Sequence, residues 1–131
     1  MGQHRERFEL ARTQYFQALD RLHEVLELEE NPIIRDSLIQ RFEFTYELAW
    51  KSMFLWMKDE GEKVREMVRP VIQAAFRCEL IDDPDTWEEI KDYRDETSHT
   101  YNESKAIEVA GFVRHQAGAL FDRLRDELRD L

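Results

Sequence analysis

Arg41-Phe42-Glu43-Phe44-Thr45-Tyr46-Glu47-Leu48-Ala49-Trp50-Lys51-Ser52-Met53-Phe54-Leu55-Trp56-Met57-Lys58 is the stretch on which the fold turns. It belongs to a helix predicted from about residue 34 to 60, stopped by Gly61 as a C′ glycine. Phe42, Phe44, Tyr46, Leu48, Trp50, Met53, Phe54, Leu55, Trp56 and Met57 cover most of its perimeter, and Glu43, Glu47, Lys51 and Lys58 form only a narrow charged stripe. A helix apolar on so many sides lies at the centre of a bundle or in an oligomer interface.

The flanking sequence supplies helices to surround it. Phe8, Ala11, Tyr15, Ala18, Leu19, Leu22, Val25 and Leu26 recur at the 3-and-4 spacing of an amphipathic helix over about residues 4 to 29, which Asn31-Pro32 breaks. A shorter helix is expected over 68–80, with Pro70 in its first turn, where a missing N–H is tolerated. After the turn Asp82-Asp83-Pro84, a fourth helix carries Trp87, Ile90, Tyr93 and Arg94 and ends near Ser98. Asn102 then caps a fifth, about 103–128, whose core face reads Ile107, Ala110, Val113, Ala117, Leu120, Phe121, Leu124 and Leu128. Gly111 and Gly118 each cost that helix about 1 kcal/mol against alanine, which close helix approach would offset. The expectation is an all-α, antiparallel bundle of about five helices, forming one domain over residues 1–131.

Charge and cysteine usage narrow the function. The net charge of −10 favours solubility and disfavours unaided binding to polyanions, so any contact with nucleic acid must rest on a local basic pocket, and no DNA partner is expected. The lone Cys78 excludes an intramolecular disulfide and fits a reducing cytoplasm. The polar start argues against a signal peptide, and no apolar run approaches the roughly 20 residues that span a bilayer, so no membrane partner is expected. His23 and His115 have no second histidine or cysteine at i+3 or i+4, so neither a metal nor another cofactor is expected.

The chemistry concentrates in Arg94-Asp95-Glu96-Thr97-Ser98-His99-Thr100-Tyr101. A fixed cation suited to phosphate, an imidazole that titrates near neutrality and a phenol share eight residues, a set suited to a phosphate ester without a metal. Five residues separate Arg94 from His99, about 140° on an ideal helix, so they diverge unless the helix ends near Ser98. A plainer reading stands beside this: Arg94 as an ion-pair arginine, His99 as a helix C-cap, Tyr101 as a half-buried aromatic. Ile90, Lys91, Thr97 and Ser98 occupy the positions three and four away from Arg94, so an acidic partner has to come from another helix. From Glu79 to Glu96 nine acids face two bases, a net of −7 that penalises a polyanion or serves as a docking surface for a basic partner. Arg65, Arg69 and Arg77 are candidates for a compensating patch.

The string resembles the Arg-x4-His-x-Tyr motif of HEPN domains, in the branch paired with minimal nucleotidyltransferases, whose members are known as nucleotidyltransferase substrate-binding proteins or as HEPN-type toxin ribonucleases. The stretch Arg41 to Lys51, then Pro70 to Ile81, Trp87 and Ser98 to Glu103 follow in that branch's order, so the resemblance covers most of residues 8–121; Asp95 stands where the branch often has Asn. The resemblance implies an up-and-down bundle that forms a homodimer, with two motifs facing one cleft. It implies metal-independent RNA cleavage with Arg94 and His99 catalytic, Ser98 and Thr100 as supporting hydrogen-bonding groups beside Asp95, and Tyr101 orienting His99 or accepting AMP from a separate nucleotidyltransferase, which silences a toxin. The alternative it leaves open is a non-catalytic subunit that presents a nucleotide or other substrate to that enzyme.

Overall fold

Asn31 and Pro32 do more than end a helix; they start the next one. In the computed structural model, which describes residues 4–131, α1 (Arg5–Leu26) is followed by a short turn in which Asn31 accepts a hydrogen bond from the Ile34 N–H at 2.8 Å, so that Asn31 is the N-cap and Pro32 the first residue of α2 (Pro32–Asp59). Gly61, at φ 87°, ends the segment as expected. The remaining elements are α3 (Val68–Arg77), α4 (Pro84–Glu96), a 3₁₀ turn (Thr97–His99), α5 (Glu103–Phe112), a π turn (Val113–Ala117) and α6 (Gly118–Arg129). The backbone stays helical through both ends of the π turn, so α5 and α6 form one rod and the described residues make five helical rods and no strand.

Most expected boundaries hold, and three details change. α3 stops at Arg77 rather than near residue 80, because Glu79 turns the chain at φ 63° and the Leu80 N–H returns to the Ala75 carbonyl. The last rod is not a uniform α-helix: the Gly118 N–H reaches back five residues to the Val113 carbonyl. Ile107 is 46% exposed; Ala106, Val109, Ala110 and Val113 take the inner face, and Ile107 lies about 110° from its centre at 100° per residue. The two glycines also differ. A side chain on Gly118 would meet the Val113 carbonyl at 3.3 Å and Leu26 at 3.5 Å, whereas one on Gly111 would meet nothing, so close approach explains only Gly118.

The rods meet around Phe121. Its ring lies 6.5 Å from Tyr15 of α1, 6.1 Å from Phe42 of α2 and 5.7 Å from Trp87 of α4, and its carbonyl accepts the Tyr15 hydroxyl at 2.6 Å. Aromatic pairs of this kind are worth about 0.5–1.5 kcal/mol each beyond area burial. α2 is the central helix: Phe42, Tyr46, Met53, Phe54, Leu55 and Met57 are buried within the single chain. The chain therefore covers more of the α2 perimeter than the width of its apolar face suggested, and of the ten large residues named above only Phe44, at 56% exposure, stands fully out.

The candidate active site at the end of α4

α4 begins with Asp83 as N-cap, its carboxylate accepting from the Thr86 N–H and hydroxyl, and that anchoring holds its carboxyl below the usual aspartate range. The helix ends by tightening into the 3₁₀ turn Thr97–His99, after which Asn102 caps α5 through the Lys105 N–H. The α-helix thus ends close to Ser98, as the spacing led one to expect. Arg94 stays on the last α turn, while His99 and Tyr101 move onto the connection, both exposed, with ring centroids 6.2 Å apart and edge-on. Tyr101 is 87% exposed, so it is no core aromatic.

Arg94 turns inward to α2. Its Nη1 lies 3.2 Å from Glu43 Oε2 and donates to Thr97 Oγ1 at 3.0 Å, and its Nε lies 3.7 Å from Glu47 Oε1. The acidic partners come from another helix, as the α4 spacing required. Thr97 is 7% exposed and sits 2.8 Å from Glu43 Oε2 and 2.6 Å from the Arg94 carbonyl, the two acceptors for its single proton. Glu43, Glu47 and Thr97 are the site residues that sequence reasoning did not single out. Two glutamates at i, i+4 on an otherwise apolar helix were the available signal, counted there only as part of a narrow charged stripe.

The supporting residues are occupied locally. Asp95 pairs with Lys91 at 2.8 Å, the Ser98 hydroxyl donates to the Asp95 carbonyl at 3.1 Å and Thr100 donates to the Thr97 carbonyl at 3.0 Å. Ser98 and Thr100 close the turn that carries His99. Lys105 ties the following helix to Glu96 at 3.4 Å. The acidic belt is partly neutralised from outside itself: Arg69 reaches Glu88 at 3.0 Å and Asp92 at 3.8 Å, and Arg123 reaches Asp82 at 3.4 Å. Arg69, one of the three expected patch residues, is thereby engaged with the belt. Next to the site Tyr46 is buried, and burial first, with the Glu47 charge second, pushes its hydroxyl well above the usual tyrosine range, leaving it a neutral packing group. No group of three or more His, Cys, Asp or Glu side chains suited to a metal occurs among the described residues, and no helix there is long and apolar enough to cross a membrane.

An all-α bundle that presents an arginine on the last turn of a helix, and a histidine and tyrosine on the connection that follows, is the architecture of a HEPN-like domain. Residues 10–130 match the family described as nucleotidyltransferase substrate binding protein like, and the chain belongs to that family, a branch of the HEPN domains. It is 34% identical over 85 residues to a Haemophilus influenzae protein named "Probable ribonuclease HepT", a match covering 59% of this chain and 58% of that relative's length. A solved crystal structure from Thermus thermophilus superposes with a TM-score of 0.80 at 30% identity, covering 88% of this chain and 98% of that one.

Proposed function

We propose that this protein is the helical partner of a separate minimal nucleotidyltransferase and a metal-independent ribonuclease, acting as a homodimer and silenced by adenylylation of Tyr101. The observation that carries the reading is the division of the motif: Arg94 is anchored by Thr97 and Glu43, while His99 and Tyr101 stand in solvent on the turn beyond it. In the reaction a ribose 2′-oxygen bonds to the adjacent phosphorus, the bond to the 5′-oxygen breaks, and a 2′,3′-cyclic phosphate and a 5′-hydroxyl result. His99 serves as the base that takes the 2′-proton or the acid that supplies the 5′-oxygen. Arg94 offsets the charge that gathers on the phosphorane oxygens. Because Arg94 faces α2 and His99 faces outward, a second copy that brings its own histidine and arginine across a shared cleft completes the constellation.

Silencing follows from exposure. The Tyr101 oxygen attacks the α-phosphorus of ATP on the partner enzyme, pyrophosphate leaves and the phenol proton is lost. The adduct places a bulky anion beside His99, where it excludes RNA by size and charge.

The test has two arms. Purified chain is incubated with RNA in chelator and the new ends are identified by mass spectrometry; cyclic phosphate and 5′-hydroxyl ends support the reading, and 5′-phosphate ends overturn it. Light scattering at micromolar concentration is expected to give twice the 15.9 kDa of one chain; a monomer that cleaves RNA removes the shared cleft. A second reading, a non-catalytic subunit presenting substrate to the nucleotidyltransferase, draws on the family's description and on the two carboxylates that crowd Arg94. It gains if the chain leaves RNA intact but binds the partner.

A further inference from the structure

The two glutamates beside Arg94 are held in different ways. Glu43 belongs to a closed cycle: its Oε2 lies 3.2 Å from Arg94 Nη1 and 2.8 Å from Thr97 Oγ1, and Nη1 donates to that same hydroxyl at 3.0 Å. The cycle joins α2 to the end of α4 across 54 residues of sequence, with Thr97 buried at its centre. Glu47, one helical turn further along α2, makes no hydrogen bond to the arginine. Its Oε2 accepts from the Trp50 indole N–H at 3.3 Å, and its Oε1 stands 3.7 Å from Arg94 Nε, beyond the 2.7–3.2 Å range of an N–H···O bond.

The consequence falls on Arg94 Nε, whose N–H is shielded from solvent and has no hydrogen-bond partner. A buried unpartnered donor costs about 1–3 kcal/mol, and such groups in native structures call for an explanation. Here one guanidinium faces two carboxylates, so the cluster carries a net charge of −1 before any phosphate arrives. An incoming phosphodiester adds another negative charge and can pair with Arg94 only if one carboxylate gives way. Both carboxylates meet the arginine as ion pairs, but Glu43 is the closer and is also fixed by the Thr97 hydroxyl, whereas Glu47 is more exposed, stands farther off and has no link to Thr97.

We infer that the two carboxylates divide the work at Arg94: Glu43, through Thr97, is a positioning residue that aims the guanidinium, and Glu47 is a displaceable gate over Nε that a substrate phosphate must push aside. The inference rests on the proposed function for its substrate, a phosphodiester, and it adds a built-in brake. The arginine fork pairs with carboxylate and with phosphate in the same geometry, so a carboxylate is a fitting placeholder for a phosphate. The gate lowers affinity for any polyanion that cannot displace it, which sets a threshold on substrate without lowering the rate once substrate is seated.

The experiment compares Glu47→Gln, Glu43→Gln, Thr97→Val and Thr97→Ser with wild type, and uses Asp85→Asn as a control that removes one exposed charge from the belt without touching Arg94. Binding of a mixed-sequence, fully 2′-O-methylated RNA, which cannot be cleaved, is read by fluorescence anisotropy. Glu47→Gln is expected to tighten Kd by about fivefold, the upper range for an exposed ion pair, and more than Asp85→Asn does. Equal tightening by both variants reduces Glu47 to general charge and overturns the gate. With cleavable RNA, Glu43→Gln and Thr97→Val are expected to lower kcat about tenfold or more with KM changed less than twofold, and Thr97→Ser to restore kcat. A rise in KM at constant kcat overturns the positioning role.

Failure of the ribonuclease reading is separately visible as absent wild-type cleavage. The ¹⁵N signal of Arg94 Nε–Hε, assigned by its loss in Arg94→Lys, then decides the positioning role. It is expected to stay sharp in wild type and Thr97→Ser and to broaden in Glu43→Gln and Thr97→Val at unchanged melting temperature. A signal unaffected by Glu43→Gln overturns the role.

Discussion

Arg114 and Arg94 each sit beside a glutamate from another segment, and their surroundings differ in completeness. Arg114, on the π turn, pairs through Nε with Glu30 at 2.9 Å and donates to the Leu26 and Leu28 carbonyls at 3.0 and 3.4 Å, and Glu30 is held from its other side by Arg35 at 2.9 Å. It satisfies the carbonyls at the end of α1 and pins the α1–α2 turn to the last rod. Arg94 has one firmly bonded nitrogen, a carboxylate too far away to bond and an N–H with no partner. Each of Arg114's three nitrogens has a partner. Arg94 keeps donor capacity in reserve, and under the proposed function that reserve is what meets the substrate phosphate.

The sharpest way to break this comparison is to delete each arginine. Arg94→Ala is expected to lower RNA cleavage by 10² to 10³-fold, the range for losing a donor aimed at transition-state charge, while unfolding shifts by less than about 1 kcal/mol, as for other partly exposed pairs. Arg114→Ala is expected to do the reverse. It should destabilise the fold by about 2 kcal/mol in denaturant unfolding, because it takes one of Glu30's two arginine partners and the donor of two carbonyls, and leave kcat unchanged where the variant is folded. Arg114→Lys should recover less than half of that stability, since an ammonium cannot reach three acceptors in the plane of a fork. An Arg114→Ala protein that is as stable as wild type would erase the distinction.

A smaller effect sharpens it by pH. Burial raises the Glu30 pKa, but hydrogen bonds from Arg35 and Arg114, with their charges, outweigh burial and hold it below the ordinary 4.5. A carboxyl depressed on folding contributes stability that is present above its unfolded pKa and lost as pH falls through its folded one. Glu30→Gln is therefore expected to lower stability near neutrality and to flatten the acid limb below about pH 4.5, with the two proteins converging in acid. Parallel acid limbs for wild type and Glu30→Gln in pH-dependent melting would remove the clamp from the account.

The Tyr101 reading adds an effect confined to regulation. Tyr101→Phe should cleave within about threefold of wild type, since the ring beside His99 is kept, but gain no adenylyl mass from the partner nucleotidyltransferase with ATP and Mg²⁺. Adenylylation that persists in Tyr101→Phe would shift the modification to another side chain.

What the sequence disclosed and what it hid follow from the reach of the interactions. Helix limits set by neighbours were legible: the Gly61 stop, the Asn102 cap and the end of α4 just before His99 each depend on a few adjacent residues. So was the need for an acidic partner from elsewhere, because α4 offers Arg94 none. The identity of that partner was not legible, since Glu43 and Thr97 are 54 residues apart and a glutamate on an apolar helix looks the same whether it faces water or a guanidinium. The π turn was hidden for the same reason: no residue in Val113–Ala117 demands it, whereas Arg114 and the close passage of Gly118 by Leu26 take effect only once the rod packs on α1. Ile107 was misjudged because helical spacing alone admits two neighbouring faces, and packing selects the one led by Ala106 and Val109.

The claim at the centre of the account is that Arg94 and His99 together cleave RNA without a metal, and the most direct measurement is the cleavage rate of purified chain in EDTA, wild type against His99→Ala. His99 lies on an exposed turn, so its loss should not change the melting temperature. Cleavage by wild type is expected to be unaffected by EDTA, with a loss of at least 10²-fold in the variant. Wild-type cleavage abolished by EDTA, or His99→Ala cleaving at the wild-type rate, would contradict it.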